Sequence, residues 1–205
     1  MLAPMPSPEA PAGRKQLTHD RIVDTAARVL RESGFSGVGV ADIMKRVGLT
    51  HGGFYAHFPS REALLAEALE RAGQDSGRRL RSDIDAGERK GLSPFRALVE
   101  SYLSERHLKS PESGCPVAAL ASEMPRQAEA VQQAAAARVA NLVRGIGEAL
   151  PAGHPEGAAS VVAGQLVGAL QLARALGDNT AGRRHLAAAR RFLIEQFDSP
   201  QPSGR

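Results

Sequence analysis

A single cysteine, Cys115, stands in a chain of 205 residues. One thiol excludes an intramolecular disulfide framework and fits a reducing cytoplasm, so stability has to come from an apolar core. A chain of this length can bury one such core, or two small ones. Long apolar runs are also scarce. The most apolar window, residues 158–172, falls short of the roughly 20 residues that span a bilayer and is interrupted by Gln165 and Gln171, which argues against a membrane partner. The opening MLAPMPSPEAPAG lacks the apolar segment of a signal peptide, and residues 1–16 read as a disordered arm. Catalytic signatures are missing as well: no histidine pair at metal-ligand spacing, no Gly-x-Ser-x-Gly elbow, no phosphate-binding glycine loop, no dinucleotide fingerprint. His107, His154 and His185 fall on separate segments. No catalytic residue, metal or cofactor is therefore assigned, and an enzyme is an alternative without a motif behind it.

What is present gathers between Val40 and Phe58, VADIMKRVGLTHGGFYAHF. Ile43 and Val47 recur at helical spacing, and Gly48 can take the left-handed position that ends a short helix. Leu49 plugs the turn, and the Thr50 hydroxyl can cap a second helix with Phe54 and Phe58 on one face. His51, Gly52, Gly53, Tyr55 and His57 fall on its other faces. This is the outline of a helix-turn-helix, whose second helix enters a DNA major groove. In a helix interior each glycine costs about 0.5–1 kcal/mol relative to Ala. Such a cost fits a bare backbone pressed against a phosphate or base edge; it equally fits Gly52 and Gly53 marking a plain loop. The net charge of +4 is mild, but residues 14–60 carry seven basic against four acidic side chains. A phosphate-facing surface and an ordinary solvated helix both look like this.

The run Gly34-Phe35, Ile43, Gly48-Leu49-Thr50, Gly52, Phe54-Tyr55, His57-Phe58 and Ser60-Arg61-Glu62-Ala63-Leu64 resembles the N-terminal region of the TetR family of transcriptional regulators. The resemblance covers about the first third of the chain. It implies an all-α homodimer that binds a palindromic operator in double-stranded DNA and lets go when a small molecule occupies the C-terminal part. It further implies His51 and Gly53 against base edges, and Thr50, Tyr55, His57 and Arg61 on phosphates. The start of the first helix, with Thr18 and Arg21, would touch the DNA backbone, although a cap and a surface arginine explain those two residues equally well. For Arg61 the competing explanation is a surface ion pair. One departure stands out: the family usually has Thr or Ser near positions 38 and 39, where this chain has Val38 and Gly39. Glycine can still serve as the N-cap, without a side-chain phosphate contact.

The remaining pattern is helical. A helix over residues 18–33 has Ile22, Ala26, Val29 and Leu30 inward and stops at Gly34. Ser60 caps another, which runs towards Ile84. Ser93-Pro94 opens a third with Phe95, Leu98, Val99, Tyr102 and Leu103 as its stripe, closed by a loop over 109–114. Cys115 sits at or beside a helix start, where the dipole favours a thiolate, though a lone Cys among Ala, Val and Leu also packs as a small hydrophobe. Residues 125–150 form a helix with Val131, Val139, Leu142, Val143 and Ile146 inward, and 156–176 another. Asn179 or Thr180 caps a last one with Leu186, Ala189, Leu193 and Phe197 inward.

The expected division is a reader over 17–60, a linker helix with the effector-binding and dimerisation part over 61–198, and a tail over 199–205. An apolar effector pocket is expected among Leu98, Tyr102, Cys115, Leu120, Met124 and Leu166. In the resembled family the last two helices form a four-helix bundle with their mates, which assigns Gly164, Gly168, Leu172, Leu186 and Leu193 to the dimer interface. The Gly-Cys-Pro-Val segment resembles family members with a Cys near this point, some of which answer electrophiles. An architectural DNA-binding protein without ligand control is the other alternative.

Overall fold

Gly34 and Gly48 punctuate the first fifty residues, and both adopt the left-handed backbone that only glycine enters at little cost, with φ of +73° and +75°. In the computed structural model, which describes residues 13–199, helix α1 (Arg14–Ser33) ends immediately before the first and helix α2 (Val40–Arg46) two residues before the second. A 3-10 helix, His51–Ala56, follows at once. The long α3 (Arg61–Glu88) leads to α4 (Pro94–Tyr102), α5 (Glu105–Lys109) and α6 (Pro116–Leu120). Then come α7 (Glu129–Ala149), α8 (Ala158–Leu176) and α9 (Thr180–Phe197). The described residues contain no strand, so the all-α expectation holds.

Packing follows the apolar stripes. Ile22, Ala26, Val29 and Leu30 of α1 are buried and lie along α3, while α7 packs on the far part of α3 and α8 pairs with α9. Polar caps fix the entries. The Ser60 hydroxyl accepts from the Ala63 N–H at 3.1 Å and the Ser93 hydroxyl from the Arg96 N–H at 3.0 Å, each satisfying a donor the helix leaves open. Asn179, rather than Thr180, caps α9, accepting from the N–H groups of Ala181 and Gly182.

Several expectations need correction. Helix α1 begins at Arg14, so residues 14–16 belong to it; residues 1–12 of the expected arm, and 200–205 of the tail, lie outside the described residues. α3 continues to Glu88, beyond Ile84. The third stripe ends at Tyr102 because Ser104 caps a separate short helix, its hydroxyl accepting from the His107 N–H at 3.2 Å. On α7, which starts at Glu129, Val139 faces outward. Leu186 and Leu193, assigned to the dimer interface, are each 1% exposed within this one subunit: α9 turns that stripe onto α8 and α4. The outward apolar side chains are instead Val161, Leu172 and Leu176 on α8 and Phe192 on α9. Helix α8 is long and apolar enough to cross a bilayer by composition alone. Its inner side, with Val162, Leu166, Leu170 and Ala173, nevertheless packs within the subunit.

Candidate nucleic-acid interface and ligand cavity

The reader is held from beneath by two stacked rings. Phe54 and Phe58 are buried with centroids 5.4 Å apart, and the His19 ring of α1 stacks on Phe58 at 4.5 Å. Anchoring these two turns the opposite side of the segment to solvent. Thr50, His51, Gly52 and Tyr55 are exposed, Tyr55 to 69%, while Gly53 and His57 are half-buried. The connection is tight, with the Leu49 N–H donating to the Met44 carbonyl at 2.9 Å. Thr50 occupies the N-cap position in extended backbone, but its hydroxyl makes no capping bond, which corrects that expectation and leaves the hydroxyl free.

The two glycines sit in a helical turn, not a loop. Neither has positive φ, and a Cβ at Gly52 would meet nothing within 4 Å. At Gly53 it would make only ordinary contacts with Met44 Cε (3.7 Å) and Thr50 Oγ1 (3.8 Å). The fold itself makes no demand for glycine at either position. Gly39 is the N-cap of α2, exposed and equally unobstructed.

Three of the expected phosphate contacts have other partners. Arg61 is corrected outright: its Nε donates to the Val38 carbonyl at 3.0 Å and its Nη2 to the Phe35 carbonyl at 2.5 Å. These carbonyls lie in the connection between α1 and α2, where no helix supplies donors, and the guanidinium fills that need. Arg21 keeps an exposed stem yet donates to the Val47 carbonyl at 3.0 Å, closing the end of α2 against α1. Thr18 lies inside α1, and its hydroxyl donates back to the Arg14 carbonyl at 2.9 Å. His57 is held neutral: burial, then the neighbouring His19 and Lys15, lower its pKa, so it can offer a hydrogen bond but little charge. Lys15 and Lys45, which entered the charge balance without being assigned a contact, are both exposed.

Arg61→Leu is expected to cost about 1–2 kcal/mol of stability, the usual worth of charge-assisted hydrogen bonds discounted for a half-buried site. The slope of log affinity against log salt for DNA binding should stay at the wild-type value. A slope reduced by about one unit, measured alongside a urea melt, would return Arg61 to the phosphates.

A cavity of about 810 Å³ opens between α3, α4, the start of α6 and α7. Leu98, Tyr102 and Cys115 line it as expected, joined by Leu80, Ile84, Leu142 and Ile146. Leu120, Met124 and Leu166 do not. They are buried where α6 and the turn after it pack on neighbouring helices, and Leu166 faces the inner side of α8, which frames no part of the cavity. His107, which no motif singled out, braces one wall. Its Nδ1 donates to the Tyr102 carbonyl at 2.7 Å and its Nε2 accepts from the Cys115 N–H at 3.0 Å. Burial lowers its pKa to about 4, so the ring is neutral and fixes the loop before α6. The Tyr102 hydroxyl is buried without a partner; burial first, and Cys115 beside it second, raise its pKa well above the ordinary value. Cys115 is the N-cap of α6 and 7% exposed, but α6 has only five residues, too few to sum to a strong dipole. The helix-start argument for a thiolate therefore loses its force. No metal-binding cluster occurs among the described residues.

The family described as "Bacterial regulatory proteins, tetR family" matches residues 22–68, from the middle of α1 through the reader into α3. The uncharacterized HTH-type transcriptional regulator Rv0196 of Mycobacterium tuberculosis is 30% identical over 172 residues, covering 78% of this chain and 86% of that one. The transcriptional repressor NemR of Escherichia coli is 26% identical over 107 residues, 52% of this chain and 54% of its own. Among solved structures, the reduced form of E. coli NemR superposes with a TM-score of 0.72 at 22% identity, covering 90% of this chain and all of that one. A TetR-family regulator from Agrobacterium tumefaciens gives 0.68 at 23% identity, with 90% and 99% covered. The helical reader thus recurs in regulators of transcription across its whole frame, and the chain belongs to the TetR family, DNA-binding transcriptional regulators and not enzymes.

Proposed function

We propose that the protein is a cytoplasmic repressor that binds a palindromic operator as a homodimer and is released when a small hydrophobic molecule enters the cavity. The observation that carries this is the reader itself: a segment anchored by Phe54 and Phe58 whose outer side, His51-Gly52 and Tyr55, is left bare with no structural need for its glycines. In the two-fold dimer two such segments stand about 34 Å apart and meet successive major-groove faces. His51 and Gly53 lie against base edges; Thr50, Tyr55 and His57 reach phosphates, with Gly39 letting the start of α2 approach the backbone. Residues 17–60 act as the reader and 61–198 as linker, effector and dimer part. Repression is supported by the likeness to NemR, a named repressor.

Release requires an effector that prefers the non-binding spacing of the two readers, since equal affinity for both states shifts nothing. The lining of Leu80, Ile84, Leu98, Leu142 and Ile146 favours an apolar body, and an electrophilic effector would meet Cys115 there. Selection of a palindrome from random duplexes, followed by footprinting, tests the reading. Tyr55→Ala should weaken binding by a similar factor on every duplex, roughly tenfold for a phosphate contact of 1–2 kcal/mol, whereas His51→Ala should change base preference within the half-site. Undiminished affinity in the Tyr55 variant, or uniform loss in the His51 variant, would refute the assignment. A protein that coats DNA broadly without a preferred palindrome would be architectural instead.

A further inference from the structure

The cavity is not uniformly apolar, and its polar groups are unevenly balanced. Cations contributed to its lining are Arg79, Arg81, Arg106, Arg138 and Arg144, against the carboxylates of Asp83 and Glu148. Asp83 is already taken by Arg106 and by the Ser101 hydroxyl, and Glu148 lies 3.9 Å from Arg144. Arg79 donates to the Ser113 carbonyl at 2.9 Å, a neutral acceptor. Arg138 is the most enclosed of the five. Its side chain is 12% exposed, its Nε is buried with no hydrogen-bond partner, and its one carboxylate neighbour is Glu70, at 3.7 Å and itself 56% exposed.

The chain makes room for this arginine. At Gly73, in the middle of α3, a Cβ would stand 2.4 Å from Arg138 Cδ and 3.0 Å from Nη1. The stem of Arg138 therefore crosses α3 where that helix has no side chain, which sets the guanidinium into the wall between α3 and α7. A guanidinium withdrawn from water beside apolar side chains, and incompletely paired, is the arrangement that rewards an incoming oxyanion. Leu80, Ile84, Leu142 and Ile146 line the same cavity and would take the body of such a molecule.

We infer that the effector is an organic acid: one apolar body of aryl or short alkyl type bearing a single oxyanion, which Arg138 receives. The inference rests on the reading of this cavity as the effector site and specifies what that reading leaves open. It also makes Arg138 the residue that sets specificity. An alcohol or hydrocarbon of the same shape fills the same space but leaves the guanidinium desolvated and unpaired.

The test is direct fluorescence titration of the whole protein, without DNA, using two probes on one skeleton: 8-anilinonaphthalene-1-sulfonate and its neutral counterpart N-phenyl-1-naphthylamine. Wild type should bind the sulfonate at least tenfold more tightly than the neutral amine. Arg138→Gln should lose that preference while binding the neutral probe as before, and Arg138→Lys should recover part of it. Leu142→Trp, which plugs the cavity, should abolish both signals, with thermal melts confirming that each variant folds. Equal affinity for the two probes in wild type, no binding of either, loss of both in Arg138→Gln, or fluorescence surviving in Leu142→Trp would each overturn the assignment. Because no operator is present, acid-selective binding that fails to displace DNA in a separate gel-shift experiment would defeat the effector reading while leaving the oxyanion site standing.

Discussion

Replacing Leu172 and Phe192 together by Glu is expected to convert the protein to monomers and to lower operator affinity at least a hundredfold. Leu172 is 58% exposed on α8 and Phe192 51% exposed on α9, and Val161 and Leu176 extend the apolar surface along α8. Gly164 and Gly168 sit on the same helix with nothing of their own chain within 4 Å of a Cβ, leaving room for a close approach by a second copy. Burying each large apolar side chain contributes about 1.5–3 kcal/mol, and a pair of carboxylates on each copy would oppose burial with desolvation and mutual repulsion. A monomer also loses the tethering that makes the second half-site nearly intramolecular, worth on the order of 10²–10⁴ in affinity. Sedimentation velocity at micromolar concentration, run beside a gel shift on the selected palindrome, reads both effects. A variant still sedimenting as a dimer would place the interface elsewhere.

Phe54→Ala is expected to cost about 3–5 kcal/mol of folding free energy, the cost of emptying the space of a buried aromatic ring. Phe54 is 1% exposed, stacks on Phe58 at 5.4 Å and meets Tyr55 edge-on at 5.3 Å. A six-residue 3-10 helix has little stability of its own, so the segment depends on this ring, together with Phe58, for its hold on the core. The loss should appear in urea melts, and Gly52→Ala serves as its counterpart: the same segment, no clash within 4 Å, and no expected loss of stability. A Phe54 variant melting within about 1 kcal/mol of wild type would mean that the segment is supported by something other than its aromatic pair.

How much of this could be read beforehand depended on range along the chain. The stops at Gly34 and Gly48, the caps Ser60 and Ser93, and the inward faces of α1 and α4 are local matters of spacing and turn chemistry, and they were legible. So was the exposure of His51, Gly52 and Tyr55, once Phe54 and Phe58 were taken as the buried pair. What was hidden required knowing which helices meet. Arg61 reads as a surface cation until the carbonyls of Phe35 and Val38, more than twenty residues back, arrive beside it. Leu186 and Leu193 form a proper apolar stripe, but periodicity does not say whether a stripe faces its own subunit or another copy, and here it faces inward. The cavity split in the same way. Leu98, Tyr102 and Cys115 were found, while Leu120, Met124 and Leu166 are equally apolar and pack elsewhere. Arg138 gave no signal, because its enclosure depends on a missing side chain at Gly73 on another helix.

One residue at the elbow after α1 is held from both sides. The Phe35 carbonyl is gripped by Arg61, and the Phe35 N–H, on the other side of the same residue, donates at 3.0 Å to the carboxylate of Glu123, just beyond α6. Next to it Gly34 has φ of +73°, which disfavours any side chain, and a Cβ there would stand 2.6 Å from that carboxylate, so the Glu123 side chain would have to shift. If the cavity takes the effector, a displacement of α6, whose first turn borders that cavity, would reach the elbow after α1 through the Glu123 side chain. In the proposed mechanism the reader would then turn about Phe35 as a door about its hinge pin, with a displacement that grows with distance from that residue and is greatest at the outer side bearing Tyr55.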